Sequence, residues 1–94
     1  MPNDPEQPQQ IQINTTDEVS RGRYSNLMLV SHSQDEFILD WLLSSPNGAH
    51  LLSRIVMSPG NLKRAIAALT ANLKQYEGEF GEVGETGREK EKVH

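Results

Sequence analysis

Residues 24–57 read YSNLMLVSHSQDEFILDWLLSSPNGAHLLSRIVM, and the alternation inside this stretch decides the fold. In an extended chain Phe37, Leu39, Trp41 and Leu43 share one face, while Glu36, Ile38, Asp40, Leu42 and Ser44 share the other. That period of two predicts a half-buried strand over 36–44. Upstream, Leu27, Met28, Leu29 and Val30 make both faces apolar, which predicts a strand over 24–30 covered on two sides. Ser33-Gln34-Asp35 is a polar connection of hairpin length, and Ser45-Pro46-Asn47-Gly48 holds the residues of a second turn. From Ala49 to Met57 strict alternation sets Leu51, Ile55 and Met57 around Ser53 on one face, with Leu52 and Val56 around Arg54 on the other. Three strands joined by short turns predict an antiparallel meander.

The chain then changes period. Ser58-Pro59-Gly60-Asn61 supplies an N-cap serine and a proline for the first helical position, and Gly81 a stop, so a helix is predicted over Pro59 to Phe80, about 33 Å long at ~1.5 Å per residue. Within it Leu62, Ile66, Leu69, Leu73, Tyr76 and Phe80 are spaced four, three, four, three and four, a heptad-like stripe. Ala65, Ala67, Ala68 and Ala71 raise helix propensity and leave room for close approach of another element. The fold class expected is therefore α+β: a three-stranded antiparallel meander followed by one long C-terminal helix, in two layers. Ile11 and Ile13 alternate with polar residues over 10–14, the pattern of a short edge strand that would make a fourth.

The flanks are polar. Pro2, Pro5 and Pro8 stand among Asn, Asp, Glu and Gln, a composition too poor in apolar surface to offset chain entropy, so 1–20 is expected to be a largely disordered lead to a single domain over 21–81. Residues 82–94 mix Gly, Glu, Lys and Arg and are expected to be a solvated tail. The whole chain has 94 residues, 35% of them hydrophobic, which is too little apolar material for two cores. Its net charge of −4 argues against a general nucleic-acid binder, although residues 21–81 hold six basic side chains against five acidic ones. The absence of cysteine excludes a disulfide framework, a thiolate metal site and a cysteine nucleophile, and fits a reducing compartment. With no secretory leader and no apolar run near the ~18 residues of a membrane span, a cytoplasmic protein with no membrane partner is expected.

The apolar strands outnumber what can cover them. A sheet of three strands has two faces, and one helix about 10 Å wide covers part of one. Burying a large apolar side chain is worth ~1.5–3 kcal/mol, so four or five left exposed would forfeit much of a stability that is typically ~5–15 kcal/mol. Self-association is the economical solution, and a homo-oligomer, a dimer or higher, is expected. Leu62, Ile66, Leu69, Leu73, Tyr76 and Trp41 are the candidate contacts with itself or with another protein.

Chemistry is harder to find. Ser31-His32-Ser33 followed by Asp35 and Glu36 is where a catalytic set would begin, but these residues read as a polar turn with no oxyanion hole or pocket around them. His32 and His50 are two imidazoles where a metal site needs three or four ligands, so neither catalytic residue, metal nor cofactor is expected. Asp40 and Arg54 stand where they can pair across strands. Lys63 and Arg64 lie near a helix N-terminus, where the dipole disfavours cations, so with Arg54 they are candidate contacts to an anion or an acidic partner.

The runs YSNLMLVSHSQDEFILDW (24–41), SRIVMSPGNLKRAIAAL (53–69) and NLKQYEGEFGE (72–82) resemble a family of bacterial and archaeal proteins known as domain of unknown function three-four-six-seven. The resemblance covers nearly the whole foldable segment and implies no activity, cofactor or catalytic residue. A more distant similarity, of element order alone, is to SecB-type export chaperones, which also join a strand meander to a long helix. The residues themselves favour a non-enzymatic, oligomeric protein-interaction module; the alternative is a nucleic-acid-associated module using Arg21, Arg23, Arg54, Lys63 and Arg64.

Overall fold

A computed structural model describes residues 11–84. The expectations of disorder over 1–9 and of a charged tail over 85–94 lie outside the described residues. Five elements follow one another: α1 (Asp17–Arg21), β1 (Leu27–His32), β2 (Phe37–Ser45), β3 (Gly48–Met57) and α2 (Pro59–Phe80). The strands form one antiparallel sheet in the order β1-β2-β3, the expected meander, and α2 starts and stops at the residues its capping signals name. Ser58 Oγ accepts a hydrogen bond from the Asn61 amide at 3.1 Å, and Gly81 ends the helix at φ 101°, in the region that favours glycine.

Register sets the two faces. Cross-strand partners share a face, so the pairs Met28–Trp41, Val30–Leu39 and His32–Phe37, continued by Ser53, Ile55 and Met57 of β3, define a first face. Leu27–Leu42, Leu29–Asp40 and Ser31–Ile38, continued by Leu51, Arg54 and Val56, define a second. Strict alternation put Leu51 with Ser53 and Leu52 with Arg54, and a β-bulge reverses both assignments. Trp41 pairs with Ser53 but Leu42 pairs with Leu51, so Leu52 is the extra residue. Leu51 is thereby turned to the second face.

The ends of the sheet are finished by side chains. Strand β1 starts at Leu27, three residues later than its apolar pattern predicts; just before it Ser25 and Asn26 bond to β2 through their side chains, and the Asn26 N–H donates to the Leu42 carbonyl at 3.1 Å. Ser25 Oγ donates to the Leu42 carbonyl at 2.8 Å. The Asn26 amide receives the Ser44 N–H at 2.8 Å and donates to the Ser44 carbonyl at 3.0 Å, replacing one peptide unit of a ladder. At the β2–β3 hairpin Gly48 takes φ 121°, and the Ser45 hydroxyl accepts from the Asn47 amide at 3.3 Å.

Two further findings differ from the sequence reading. Ile11 to Asn14 carry no strand, so among the described residues the sheet has three strands, not four, Gln10 of the expected 10–14 strand lying outside them. A short helix, α1, stands instead just after them, with Thr16 as N-cap, Asp17 and Glu18 in the first turn, Arg21 in the last and Gly22 at φ 76° behind it. The second difference is larger. The strands contact one another, but α2 makes at most marginal contact with any of them, so the helix does not form a second layer on the sheet. The cause is the connection. Only Ser58, extended at φ −70° and ψ 157°, separates β3 from α2, whereas strand-to-helix connections usually take ~2–6 residues. The proline that follows holds Ser58 extended, and a one-residue link leaves no slack to fold the helix back.

Burial follows from this geometry. Leu39, at the centre of β2 on the first face, is 8% exposed and is the only buried apolar side chain among the described residues. Its neighbours Phe37, Ile38, Trp41, Leu42 and Leu43 are half-buried. Asn26→Ala should lower the melting temperature, at a cost on the order of 1 kcal/mol for the lost pair of bonds to Ser44. Asn26→Asp should cost at least as much at neutral pH, because a carboxylate would face the Ser44 carbonyl; thermal unfolding of the two variants beside wild type is the check.

Candidate functional site

Three apolar surfaces stand out. The first is a groove of about 490 Å³ where α1 and its exit overhang the first face of the sheet. Trp41, Leu52, Ser53 and Ile55 line its sheet side, and Glu18, Val19, Gly22, Arg23 and Ser25 its other side. Leu52 reaches it because the bulge turns that residue toward Trp41. At its rim Arg23 Nη2 donates to Glu18 Oε2 at 2.6 Å, and both side chains are exposed. Such a groove offers an apolar floor and a self-neutralised rim, suited to an apolar side chain rather than to a charged ligand.

The second surface is the stripe on α2. Ile66, Leu69, Leu73, Tyr76 and Phe80 are all exposed, Leu69 most at 66%, while Leu62 at the sheet end is half-buried. Tyr76 and Phe80 stack on one another with ring centroids 5.0 Å apart, which keeps both rings on the stripe. The second face of the sheet is open as well: Leu27, Leu29, Leu51 and Val56 are 40% exposed or more.

The charged candidates divide. Arg54 is committed to Asp40, its partner in register, through Nε to Oδ1 at 2.7 Å and Nη2 to Oδ2 at 2.9 Å. This two-pronged pair holds the Asp40 carboxyl below the ordinary carboxylate range, chiefly through the side-chain hydrogen bond, and raises the Arg54 guanidinium by the same contact. Arg54 thus spends two of its donors on the sheet, while its side chain stays 57% exposed. Lys63 and Arg64 are exposed in the first two turns of α2, away from it.

The histidines do not converge. His32 closes the β1–β2 turn against Phe37, ring centroids 5.2 Å apart. His50 pairs with Leu43, six residues further along β2 and so about 20 Å away at ~3.3 Å per residue. In the turn, Ser33 Oγ accepts from the Asp35 amide at 3.3 Å, an arrangement that shapes the backbone. Among the described residues no group of three or more His, Asp or Glu side chains is placed to hold a metal ion, and no helix is long and apolar enough to cross a membrane. Sequence reasoning missed the groove because it missed α1, although Thr16, the acidic first turn and Gly22 are the capping signals that would have found it.

The family model for proteins of unknown function DUF3467 matches residues 1–85, and the chain belongs to that family. Comparison with curated proteins and with solved structures gives no match, so the likeness in element order to SecB-type chaperones finds no support.

The Asp40–Arg54 pair makes a pH prediction. A carboxyl whose folded pKa lies below its unfolded one favours the fold at pH above the unfolded value and loses that contribution as pH falls through the folded value. Wild type should therefore lose stability on acidification through the carboxylate range more steeply than Asp40→Asn, and the two curves should run parallel above it. Denaturant unfolding at a series of pH values measures the difference.

Proposed function

We propose that this protein is a non-enzymatic interaction module, working in the cytoplasm, that associates with itself and binds another polypeptide through apolar surface. The observation that carries this reading is the burial pattern: Leu39 alone is buried among the apolar side chains described, while sheet and helix both present rows of large exposed ones. Lone exposed leucines are ordinary, but contiguous apolar surface on a protein mark contact sites. The candidate polar groups support the same reading. Asp40, Arg54, Glu18 and Arg23 neutralise one another in pairs, and His32 and His50 lie at opposite ends of the sheet.

The nucleic-acid reading has less behind it. Of its five basic residues, Arg23 and Arg54 are engaged by carboxylates, leaving Arg21, Lys63 and Arg64 dispersed over two helices. A phosphate backbone needs a continuous basic track.

Sedimentation at micromolar concentration should give a species of at least twice 10.5 kDa. A pull-down with the tagged protein should recover protein with wild type and with His32→Ala, and lose it with Leu29→Asp on the open second face. A 10.5 kDa monomer would overturn self-association. Recovery of nucleic acid that is lost at raised salt would replace this reading with the other.

A further inference from the structure

We infer that the occupant of the α2 stripe is the α2 stripe of a second copy, running antiparallel, about a two-fold axis that passes level with Ala71. The inference rests on the self-association proposed above and adds its geometry. Three independent features of α2 point to it.

The first is symmetry of spacing. Intervals of four, three, four, three and four read the same in both directions, so a helix laid against its reversed copy brings Leu62 opposite Phe80, Ile66 opposite Tyr76 and Leu69 opposite Leu73, each pair occurring twice. All six apolar layers are filled in one register. In this register the bulky rings face aliphatic side chains and the two leucines meet at the centre, so large is set against smaller in every outer layer. A parallel pair would instead stack Tyr76 on Tyr76 and Phe80 on Phe80 at one end.

The second is charge. Lys63 and Arg64 are the basic residues of the N-terminal half of α2, and Glu77 and Glu79 are its acidic residues, both in the last turn. With Leu62, Leu69 and Tyr76 at one seam position and Ile66, Leu73 and Phe80 at the other, Lys63 and Glu77 occupy equivalent flanking positions. Those are the positions that face one another across an antiparallel pair, so Lys63 of each copy meets Glu77 of the other. Glu77 Oε2 already accepts the Val83 amide at 3.1 Å, which fixes the carboxylate beside the helix and leaves its remaining lone pairs for a lysine. Parallel pairing would set Lys63 and Arg64 beside their own copies at one end and Glu77 and Glu79 beside theirs at the other, with Lys74 next to the carboxylates.

The third is the helix dipole. Anions belong near a helix N-terminus and cations near the C-terminus, and α2 has no acidic residue in its first turn and no basic residue in its last. Glu77 and Glu79, in the last turn, oppose the dipole of the helix, and Lys74 just before them is the charge that follows it. In an antiparallel pair each terminus lies beside the opposite terminus of the other copy, so the acidic end of one helix supplies the anions that the N-terminus of the other lacks.

The chain has no cysteine, so a single introduced cysteine carries a spin label at one place. Ala71→Cys and Gly78→Cys both lie on the side of α2 away from the seam, and Gly78 has open space around it. Pulsed electron spin resonance on the two labelled full-length variants, with sedimentation on the same samples, reads the geometry directly. The antiparallel pair sets the two labels level at Ala71 and offsets them along the axis by about 21 Å at Gly78, at ~1.5 Å per residue, so the distance should be clearly longer at Gly78. Lys63→Glu and Glu77→Lys alone should each weaken association several-fold, and the double variant should recover most of it. A dimer with equal distances at the two positions would mean parallel helices, and a dimer whose distance is shorter at Gly78, or with no label pair in range, would mean another interface. Either would overturn the inference while leaving self-association standing, and a monomer would remove both.

Discussion

One residue governs the shape of this protein. Ser58 alone connects the sheet to the helix, and Pro59 keeps it extended, so α2 leaves the end of β3 without room to turn back over the strands. Had the connection been a few residues longer, Ile66, Leu69 and Leu73 could have lain on the first face of the sheet, and each surface would have covered the other. Because the link is short, the sheet keeps an open face and the helix an open stripe. The open stripe of α2 is a consequence of that constraint.

What holds the sheet together in the meantime is local. Strand β2 lies between two partners, and its central Leu39 is the one buried apolar side chain among the described residues. Around it the stabilising devices are polar and short-range: the two-pronged Asp40–Arg54 pair across β2 and β3, the Asn26 amide completing the ladder at Ser44, and Ser25 on the Leu42 carbonyl. These devices specify register and strand ends, since a slip of one residue would separate Asp40 from Arg54 and turn Leu39 toward the other face. They add little burial. Register is therefore well determined, while much of the apolar surface of sheet and helix stays open.

Most of the element order was legible in the residues because each element carries its own period or cap. The alternation of 37–44 marks β2, Ser58-Pro59 and Gly81 mark both ends of α2, and the turn residues at 45–48 mark the second hairpin. Three things were not legible, for different reasons. The bulge at Leu52 leaves no trace in a run of apolar residues, since Leu51 and Leu52 are identical in chemistry and only register tells which faces Trp41. Helix α1 is five residues long, too short for periodicity, and its capping signals were outweighed by the isoleucine alternation just before it. The missing second layer is a matter of geometry, not of pattern: the stripe on α2 reads as buried, and nothing in its spacing says which surface buries it. The groove at Trp41 was hidden for the same reasons, being built from the bulge and from α1.

The charge pattern of α2 carries information that its apolar spacing cannot. An amphipathic helix destined for a sheet of its own chain has no reason to oppose its dipole, because placing an acid near the N-terminus and a base near the C-terminus would stabilise it by a few tenths of a kcal/mol at each end. Glu77 and Glu79 in the last turn of α2 give up that contribution at the C-terminus, where Lys74 just before them offsets them in part, and its first turn holds no acid to gain it at the other end. The loss is local and certain in the isolated helix, whereas the return exists only beside a second element of opposite polarity. A helix running the other way has that polarity by construction, and a copy of α2 also has the matching stripe. In the antiparallel pair proposed above, charges set against the dipole would act as a selector: they weaken the lone helix slightly, penalise a parallel neighbour, and favour one orientation of one partner.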